Sequence, residues 1–196
     1  MAMPPTINEQ AETAIINLKN ILAAMNSSIK AVVSCTCYLI NINTRYIVEA
    51  IWRLLSNAPV TFVQVIGLPR NALVEWAVVA SDCKDGDDNS IVTVAGNSIR
   101  VICGSIMSVS YGLSKKIPNW TSIQSDLDQW KGDADDDIRS SISIRCFHNT
   151  SIPSSYMQSL FTLQKLENVV ACVPVKRIEG YASIEILRYA PSSVIQ

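Results

Sequence analysis

The sequence lacks the features that mark several large classes of protein. Its 196 residues carry 16 basic and 17 acidic side chains, a formal net charge of −1, so no broad basic surface is available to attract nucleic acid or an anionic membrane. No stretch reaches the roughly 18 uninterrupted apolar residues that a membrane span needs. Residues 1–14 have neither the basic nor the apolar region of a signal peptide. We therefore predict a soluble cytoplasmic protein that binds neither nucleic acid nor a membrane.

Residues that bind metals, phosphates or protons are also scarce. His148 is the single histidine, so neither a two-histidine relay nor a His-based zinc site can be assembled, and we predict a hydrogen-bonded structural role for it. No Gly-rich phosphate loop occurs, because Gly67, Gly96 and Gly104 are isolated. The acidic run 133–137 has no further ligands nearby, so we interpret it as a solvated loop and not a metal site. We predict no metal and no cofactor in this chain.

Cysteine is present, but without a pattern that indicates disulfides. The six cysteines are scattered along the chain: Cys35, Cys37, Cys83, Cys103, Cys146 and Cys172. Without a secretion signal, free and mostly buried thiols in a reducing compartment are expected. Cys35 and Cys37 alternate along one predicted strand and face the same side. We interpret them as thiols of a sheet core and not as a redox or metal-binding pair.

The chain does contain ample apolar surface and clear periodicity. Hydrophobic residues make up 48% of it, which suits one large or two small domains with their own cores. Thr6 to Glu9 match a capping box. The apolar residues that follow recur at spacings of three and four, which predicts one buried helix face: Ala11, Ala14, Ile15, Leu18, Leu22 and Met25. Asn26 and Ser27 then end this helix.

The remaining elements before residue 80 follow in a simple order. Residues 31–40 are apolar and β-branched over a strand-like length. Residues 45–55 predict a second helix with four apolar side chains on its buried face: Ile47, Ile51, Leu54 and Leu55. Pro59 closes that helix, and strands are expected from Val60 and over 73–80. This order predicts an α+β fold in which helices pack on one face of a mixed sheet.

The second half of the chain repeats this order. Residues 81–90 are charged and turn-forming, and we interpret them as a linker. Strands are predicted after it at 91–94, 99–109, 141–147, 169–175 and 181–189, with a hairpin turn at 95–97 and a helix at 154–163. An ungapped shift of 110 residues places Val63, Val65, Ala72, Val74 and Glu75 on Val173, Val175, Ala182, Ile184 and Glu185. This shift makes Glu185 the counterpart of Glu75.

These correspondences predict two copies of one module. The first copy covers 1–80 and lacks its opening hairpin, and the second covers 91–196 in a degenerate form.

The segment VQVIGLPRNALVEWAVVA (63–80), within the range 8–80, resembles the Rid (YjgF) family. This resemblance implies chorismate-mutase-like modules that form trimers through their sheets and hydrolyse reactive enamines and imines. Since a covalent tandem can satisfy part of that interface internally, the resemblance also leads us to expect a pseudo-symmetric contact between the two sheets. The residues LPRNALVEW (68–76), the residues CFHNT (146–150) and the residues VPV (173–175) resemble the Rid-type C-terminal region of eukaryotic diphthine–ammonia ligases. Those enzymes amidate diphthine on elongation factor 2 with ATP, in the last step of diphthamide synthesis.

The resemblance also implies which residues form a site. Glu75 aligns with the glutamate that orients water in Rid proteins, and Arg70 follows the corner proline as a charge at the rim. Rid deaminases hold the substrate carboxylate with an arginine two residues after a proline, but this position is Thr61 here and Ala171 in the second copy. We therefore take catalytic Glu75 and substrate-binding Arg70 and Thr61 as the candidate residues.

Two functions remain open from the sequence. In the first, the chain is a structural or binding module of a diphthine–ammonia ligase, whose ATP site lies in an N-terminal domain outside this sequence. Elongation factor 2, that N-terminal domain and a Rid-type oligomer are the partners expected. In the second, the chain is a stand-alone Rid-type enamine/imine deaminase.

Overall fold

The structure, a computed structural model, describes residues 3–82, 91–95, 98–103, 106–113, 143–153, 155, 156, 158, 170–178 and 182–189. Two α-helices lie in this part of the chain, α1 (Ile7–Ala24) and α2 (Arg45–Arg53). The strands are β1 (Val32–Leu39), β2 (Val60–Gln64), β3 (Val74–Ala80), β4 (Ile91–Ala95), β5 (Ser98–Cys103), β6 (Ile106–Leu113), β7 (Ser143–Asn149), β8 (Val170–Val175), β9 (Arg177–Ile178) and β10 (Ala182–Tyr189). None of the described helices is long and apolar enough to cross a membrane.

The strands form two mixed sheets. The first sheet has the order β3-β1-β2-β9, and the second sheet has the order β4-β5-β6-β10-β7-β8. In the first sheet β1 pairs parallel with β2 and antiparallel with β3. In the second sheet β7 pairs parallel with β8 and antiparallel with β10. The arrangement β3-β1-β2 therefore recurs, with the same strand directions, as β10-β7-β8.

Helix α1 begins at the predicted capping box. The Glu9 amide donates to Thr6 Oγ1 at 3.3 Å, and the Thr6 amide donates to Glu9 Oε2 at 3.2 Å, so both partners of the box are present. Ala11, Ile15 and Leu22 are buried as predicted. Met25 is 69% exposed, and its predicted place on the buried face is wrong. The helix ends at Ala24, and Asn26 turns the chain away at a φ of 55°.

Helix α2 buries only part of the predicted face. Ile51 and Leu55 pack against the core as predicted, but the fully buried residues are Val48 and Trp52, and Leu54 is 85% exposed. The Trp52 indole stacks on Trp76 of β3, with ring centroids 5.1 Å apart, and its Nε1 donates to the Ala58 carbonyl at 2.9 Å. This aromatic contact sets the rotation of the helix. Leu54 follows the end of α2 at Arg53 and points to solvent.

Two predictions about strands need correction. The single strand expected over 99–109 is wrong, because β5 and β6 pair antiparallel with Cys103 opposite Ile106. Strand β9 was not predicted at all, and it extends the first sheet through Ile178, which pairs with Val63. The predicted helix at 154–163 and the acidic run 133–137 fall largely or wholly outside the described residues.

Strand β1 lies between the helices and the second sheet. Cys35, Cys37 and Leu39 point toward the helices, whereas alternate residues point the other way. A β-bulge breaks the alternation, because Val32 pairs with Ala80 and Ser34 with Val79. The extra residue, Val33, is fully buried against the second sheet.

The predicted contact between the two sheets is present. Val33 packs on Val101 and Cys103 of β5, and Val63 packs on Phe147 and Val175 at the other end. The hydroxyl of Ser108 donates a hydrogen bond to the Val33 carbonyl. The open face of the first sheet is therefore covered by the second sheet.

Candidate functional site

The middle of the contact between the sheets is polar, although both of its ends are apolar. Alternation along the strands directs seven hydroxyl-bearing or charged side chains into this region. We call them the inter-sheet cluster: Ser34, Thr36, Tyr38, Thr61, Arg145, Ser183 and Glu185. Polar groups in such a place need partners, since leaving one unpaired costs free energy. The contacts of these residues therefore define what the region can do.

Thr61 lies inside this cluster and not on an open surface. It pairs with Thr36 in the β1–β2 ladder, and its side chain points at β10. Its Oγ1 is 3.3 Å from Ser183 Oγ, and Thr61 is only 9% exposed. The structure thus places this candidate substrate-binding residue in a contact between the two sheets.

Glu75 is exposed at the edge of the cluster. It pairs with Tyr38 across the β3–β1 ladder and shares its face of the first sheet. In the second sheet, Ser183 pairs with Phe147. Tyr38 pairs with Val63 of β2, and Phe147 pairs with Val173 of β8. Since the 110-residue shift matches Val63 with Val173, Phe147 corresponds to Tyr38. The register therefore places Ser183, not Glu185, at the position of Glu75. The equivalence of Glu75 and Glu185 from the 110-residue shift is therefore wrong by two residues, although the same face is kept.

Arg70 occupies a sharp turn before β3. Arg70 and Asn71 both have left-handed backbone conformations, with φ of 58° and 57°, inside the short helical turn Pro69–Asn71. Arg70 is exposed, as predicted for a charge at the rim. Within the described part of the chain neither Arg70 nor Glu75 has a hydrogen bond or ion pair. The three candidate residues therefore occupy two environments, with Thr61 buried and the other two exposed.

Arg145 is the charged residue of the cluster that sequence reasoning missed. It pairs with Glu185 of β10 and with Ala171 of β8. Its Nη2 lies 2.6 Å from Glu185 Oε2 and donates to Ser34 Oγ at 3.5 Å. The available signal was a lone arginine between the apolar Ile144 and Cys146 in a predicted strand.

The ion pair is unevenly buried. The side chain of Glu185 is 3% exposed and that of Arg145 is 29% exposed. Burial raises the pKa of Glu185 above its ordinary value, and the Arg145 guanidinium opposes that rise. The ionised Glu185 carboxylate therefore depends on Arg145 to offset the free-energy cost of its burial.

Tyr38 connects the charged residues of the cluster. Its ring meets that of Phe147 edge to face, with centroids 6.4 Å apart. Burial raises the pKa of its hydroxyl; Arg145 lowers this pKa, and Glu185 and Glu75 raise it further. The phenol thus lies in the field of one cation and two carboxylates. A carboxylate, a phenol and a guanidinium together are groups suited to proton transfer and to binding an anion.

The histidine and the first two cysteines lie away from this cluster. His148 is completely buried, and its Nδ1 donates to the Asn149 carbonyl at 3.1 Å. Burial raises the pKa of both Cys35 and Cys37, which suits unreactive thiols in the core of a sheet. The part of the chain that the structure describes contains no group of three side chains able to hold a metal ion.

Cys146 and Cys172 form a second thiol pair. They lie opposite each other in the β7–β8 ladder. A hydrogen bond between their side chains lowers the pKa of Cys172 and raises that of Cys146. Sequence reasoning did not pair them, because 26 residues separate the two positions.

Comparison with known proteins places the first part of the chain in a family. Residues 1–82 match the family Ribonuc_L-PSP, described as Endoribonuclease L-PSP. No match was found among curated proteins. Several solved structures resemble the chain, among them yeast YEO7 at 29% identity over 40% of this chain, with a TM-score of 0.39. A candidate endoribonuclease of Thermotoga maritima is 30% identical over 44% of the chain, with a TM-score of 0.40.

These similarities cover only part of each protein. The match spans 66% of the yeast YEO7 chain and 68% of the Thermotoga chain. The YjgF gene product of Escherichia coli is 25% identical over 39% of this chain and 65% of its own, with a TM-score of 0.35.

Proposed function

Because residues 1–82 belong to the Rid (YjgF) family, we propose that this chain is a structural and binding module. In this proposal it is the Rid-like C-terminal portion of a diphthine–ammonia ligase. In this proposal the ATP-dependent amidation of diphthine on elongation factor 2 takes place in another domain of the ligase. The module binds that domain or elongation factor 2, in the cytoplasm, and performs no chemistry of its own.

The burial of Thr61 is the observation that carries this proposal. At the position where the resemblance implies a substrate-binding arginine, the chain has a short hydroxyl side chain that is 9% exposed and 3.3 Å from Ser183 Oγ. A guanidinium would present several donors to a carboxylate, whereas this hydroxyl is used in a contact within the chain. The position therefore serves to join the sheets.

The recurrence of one strand arrangement supports the tandem organisation in this proposal. The order and directions of β3-β1-β2 match those of β10-β7-β8. The second set continues through β6, β5 and β4, which corresponds to the opening strands that the first set lacks. Strand β9 joins the first sheet from beyond residue 90, so the two proposed modules also share one sheet.

A binding measurement tests the leading proposal. Titration of the chain into purified elongation factor 2, and separately into the ATP-binding domain of a diphthine–ammonia ligase, should release or absorb heat with one of them. Arg70→Ala is an informative variant because Arg70 is exposed and has no described partner. Absence of binding to both proteins would refute the proposal.

The second candidate is a stand-alone enamine/imine deaminase, and one observation favours it. The exposed carboxylate of Glu75 lies beside Tyr38, whose pKa responds to Arg145 as well as to Glu75. These groups supply a proton acceptor, a phenol and a cation at one edge of the sheet contact.

An assay of ammonia release from 2-iminobutanoate, generated in situ, separates the two functions. The deaminase requires release above the spontaneous rate and its loss in Glu75→Ala. Glu12→Ala is the matched control. Glu12 is an exposed carboxylate on α1, so its removal should leave the rate of ammonia release unchanged. A rate equal to the spontaneous one in the unmodified chain would exclude the deaminase.

A further inference from the structure

Arg145 and Glu185 form a charged pair where the two sheets meet. They are direct cross-strand neighbours on β7 and β10, so both side chains project from the same face of the second sheet. The Ser34 hydroxyl of β1, 3.5 Å from Arg145 Nη2, shows that this face is the one against the first sheet. The pair is therefore enclosed by both halves of the chain.

The pair is incompletely bonded for its degree of burial. Both contacts of Arg145 among the described residues use Nη2, although a guanidinium has five N–H donors. Neither carboxylate oxygen of Glu185 has a hydrogen bond of good geometry in the described part of the chain, although Oε2 lies 2.6 Å from Arg145 Nη2, and the side chain is only 3% exposed. A buried carboxylate normally accepts bonds at both oxygens, and arginine commonly binds it through two donors. This carboxylate is held by one ion pair.

The surroundings of the pair are small and polar. Thr36 is fully buried, and its Oγ1 also has no hydrogen-bond partner in the described residues. The cross-strand neighbour of Arg145 on β8 is Ala171, and the Arg145 side chain is 29% exposed. An unbonded hydroxyl and a guanidinium with unused donors are groups that a small anion can bind.

We propose that the Arg145 guanidinium forms a carboxylate-binding site between the two sheets, and that Glu185 is the carboxylate that occupies it. The chemical class of ligand is a small monocarboxylate, such as formate or acetate, whenever the Glu185 side chain is removed. In the unmodified chain the Glu185 side chain itself occupies the site. The inference concerns Arg145 and Glu185 alone and holds whichever of the two functions above is correct.

Chemical rescue of a truncated side chain tests this site. Glu185→Ala should lower the melting temperature because a partly buried guanidinium loses its counter-ion. Sodium formate should then raise the melting temperature of this variant in a saturable manner, beyond the effect of sodium chloride at equal ionic strength. The unmodified chain should show no such difference between the two salts.

Two further variants make the result specific. Arg145→Met with Glu185→Ala lacks the guanidinium, so formate and chloride should act on it alike. Glu185→Gln keeps the shape of the occupant, so added formate should find the site filled. A formate effect of equal size in Glu185→Ala and in the double variant would overturn the proposal.

If Glu185→Ala fails to fold, its yield of folded protein on dilution from urea is the measurement. Formate, but not chloride, should then restore folding. Failure of formate to do so, under conditions in which Glu185→Gln folds, would equally overturn the proposal.

Discussion

At the scale of single residues, Trp52 connects helix α2 to the first sheet. It is 1% exposed, stacks on Trp76 and donates a hydrogen bond to the Ala58 carbonyl. We expect Trp52→Ala to lower the free energy of unfolding by about 3–5 kcal/mol, because it leaves a cavity and an unpaired carbonyl. Urea unfolding followed by far-UV circular dichroism measures this change.

Leu54 provides the matched control for that substitution. It lies two residues further along and is 85% exposed, so Leu54→Ala should change the free energy of unfolding by no more than about 0.5 kcal/mol. Similar losses for the two variants would contradict the burial of Trp52 and the exposure of Leu54.

Glu185 gives a second prediction at this scale, which concerns pH. Burial raises its pKa in the folded chain above the ordinary value of 4.5, so between these two values the folded state holds a proton that the unfolded state has released. The contribution of the protonated group is complete below the unfolded pKa and is lost as pH rises through the folded pKa. The stability of the unmodified chain relative to Glu185→Gln should therefore fall as pH rises through this window.

Urea unfolding of both proteins at a series of pH values measures that difference. Substituting an exposed carboxylate, as in Glu12→Gln, controls for the loss of one titrating group. A difference between the unmodified chain and Glu185→Gln that stays constant, or grows with pH, would contradict the raised pKa.

At the scale of elements, the capping box stabilises only the first turn of α1, so its loss should lower the free energy of unfolding by a small amount. Thr6 and Glu9 share three hydrogen bonds at the first turn. Thr6→Ala should lower the free energy of unfolding by about 1 kcal/mol, since a helix amide loses its acceptor. Asn17→Ala, at an exposed position inside the same helix, should cause no loss because alanine is the better helix former. Equal losses in the two variants would contradict a specific role for the cap.

Elements with strong local signals were predictable from the sequence. The capping box set the start of α1, and β-branched residues indicated β1, β2 and β3 within one or two residues of their ends. The two most buried residues of α2, Val48 and Trp52, were not predicted in the same way. The rotation of the helix depends on Trp76, which lies 24 residues from Trp52 in the sequence, and periodicity within the helix carries no information about that partner.

The residues of the candidate site differ in the same way, because some have a local sequence signal and others depend on contacts with distant strands. Glu75, Arg70 and Thr61 were chosen as candidates because they belong to or lie near one recognisable segment, and Glu75 and Arg70 are exposed. Arg145 was missed because its importance arises from Glu185 and Ser34, which lie on two other strands. Such a contact depends on sheet packing and register, and a two-residue offset in register also explains why Glu185 was matched to the wrong position.

At the scale of the whole molecule, the two sheets should unfold as one cooperative unit. Phe147 of the second sheet is 2% exposed and contacts Tyr38 and Val63 of the first. Phe147→Ala should cost about 3–5 kcal/mol and should accelerate amide hydrogen exchange in β1, although the substitution lies in β7. Hydrogen exchange measured by mass spectrometry on peptides from β1 reports this coupling.

Val94→Ala is the control for long-range coupling. Val94 lies in the outermost strand of the second sheet and is 67% exposed, so its substitution should leave exchange in β1 unchanged. Unchanged exchange in β1 after Phe147→Ala would show that the sheets open independently.

The bulge in β1 has a consequence for how the chain tolerates loss of a residue. Deleting one residue from a strand normally turns every following side chain to the opposite face. Deleting Val33 should leave the following side chains on their present faces. Val32 already faces the helices and Ser34 faces the second sheet, so the shortened strand would have regular alternation. The deletion should cost only the burial of one valine, about 1.5–3 kcal/mol. Deleting Cys37 instead should abolish cooperative thermal unfolding.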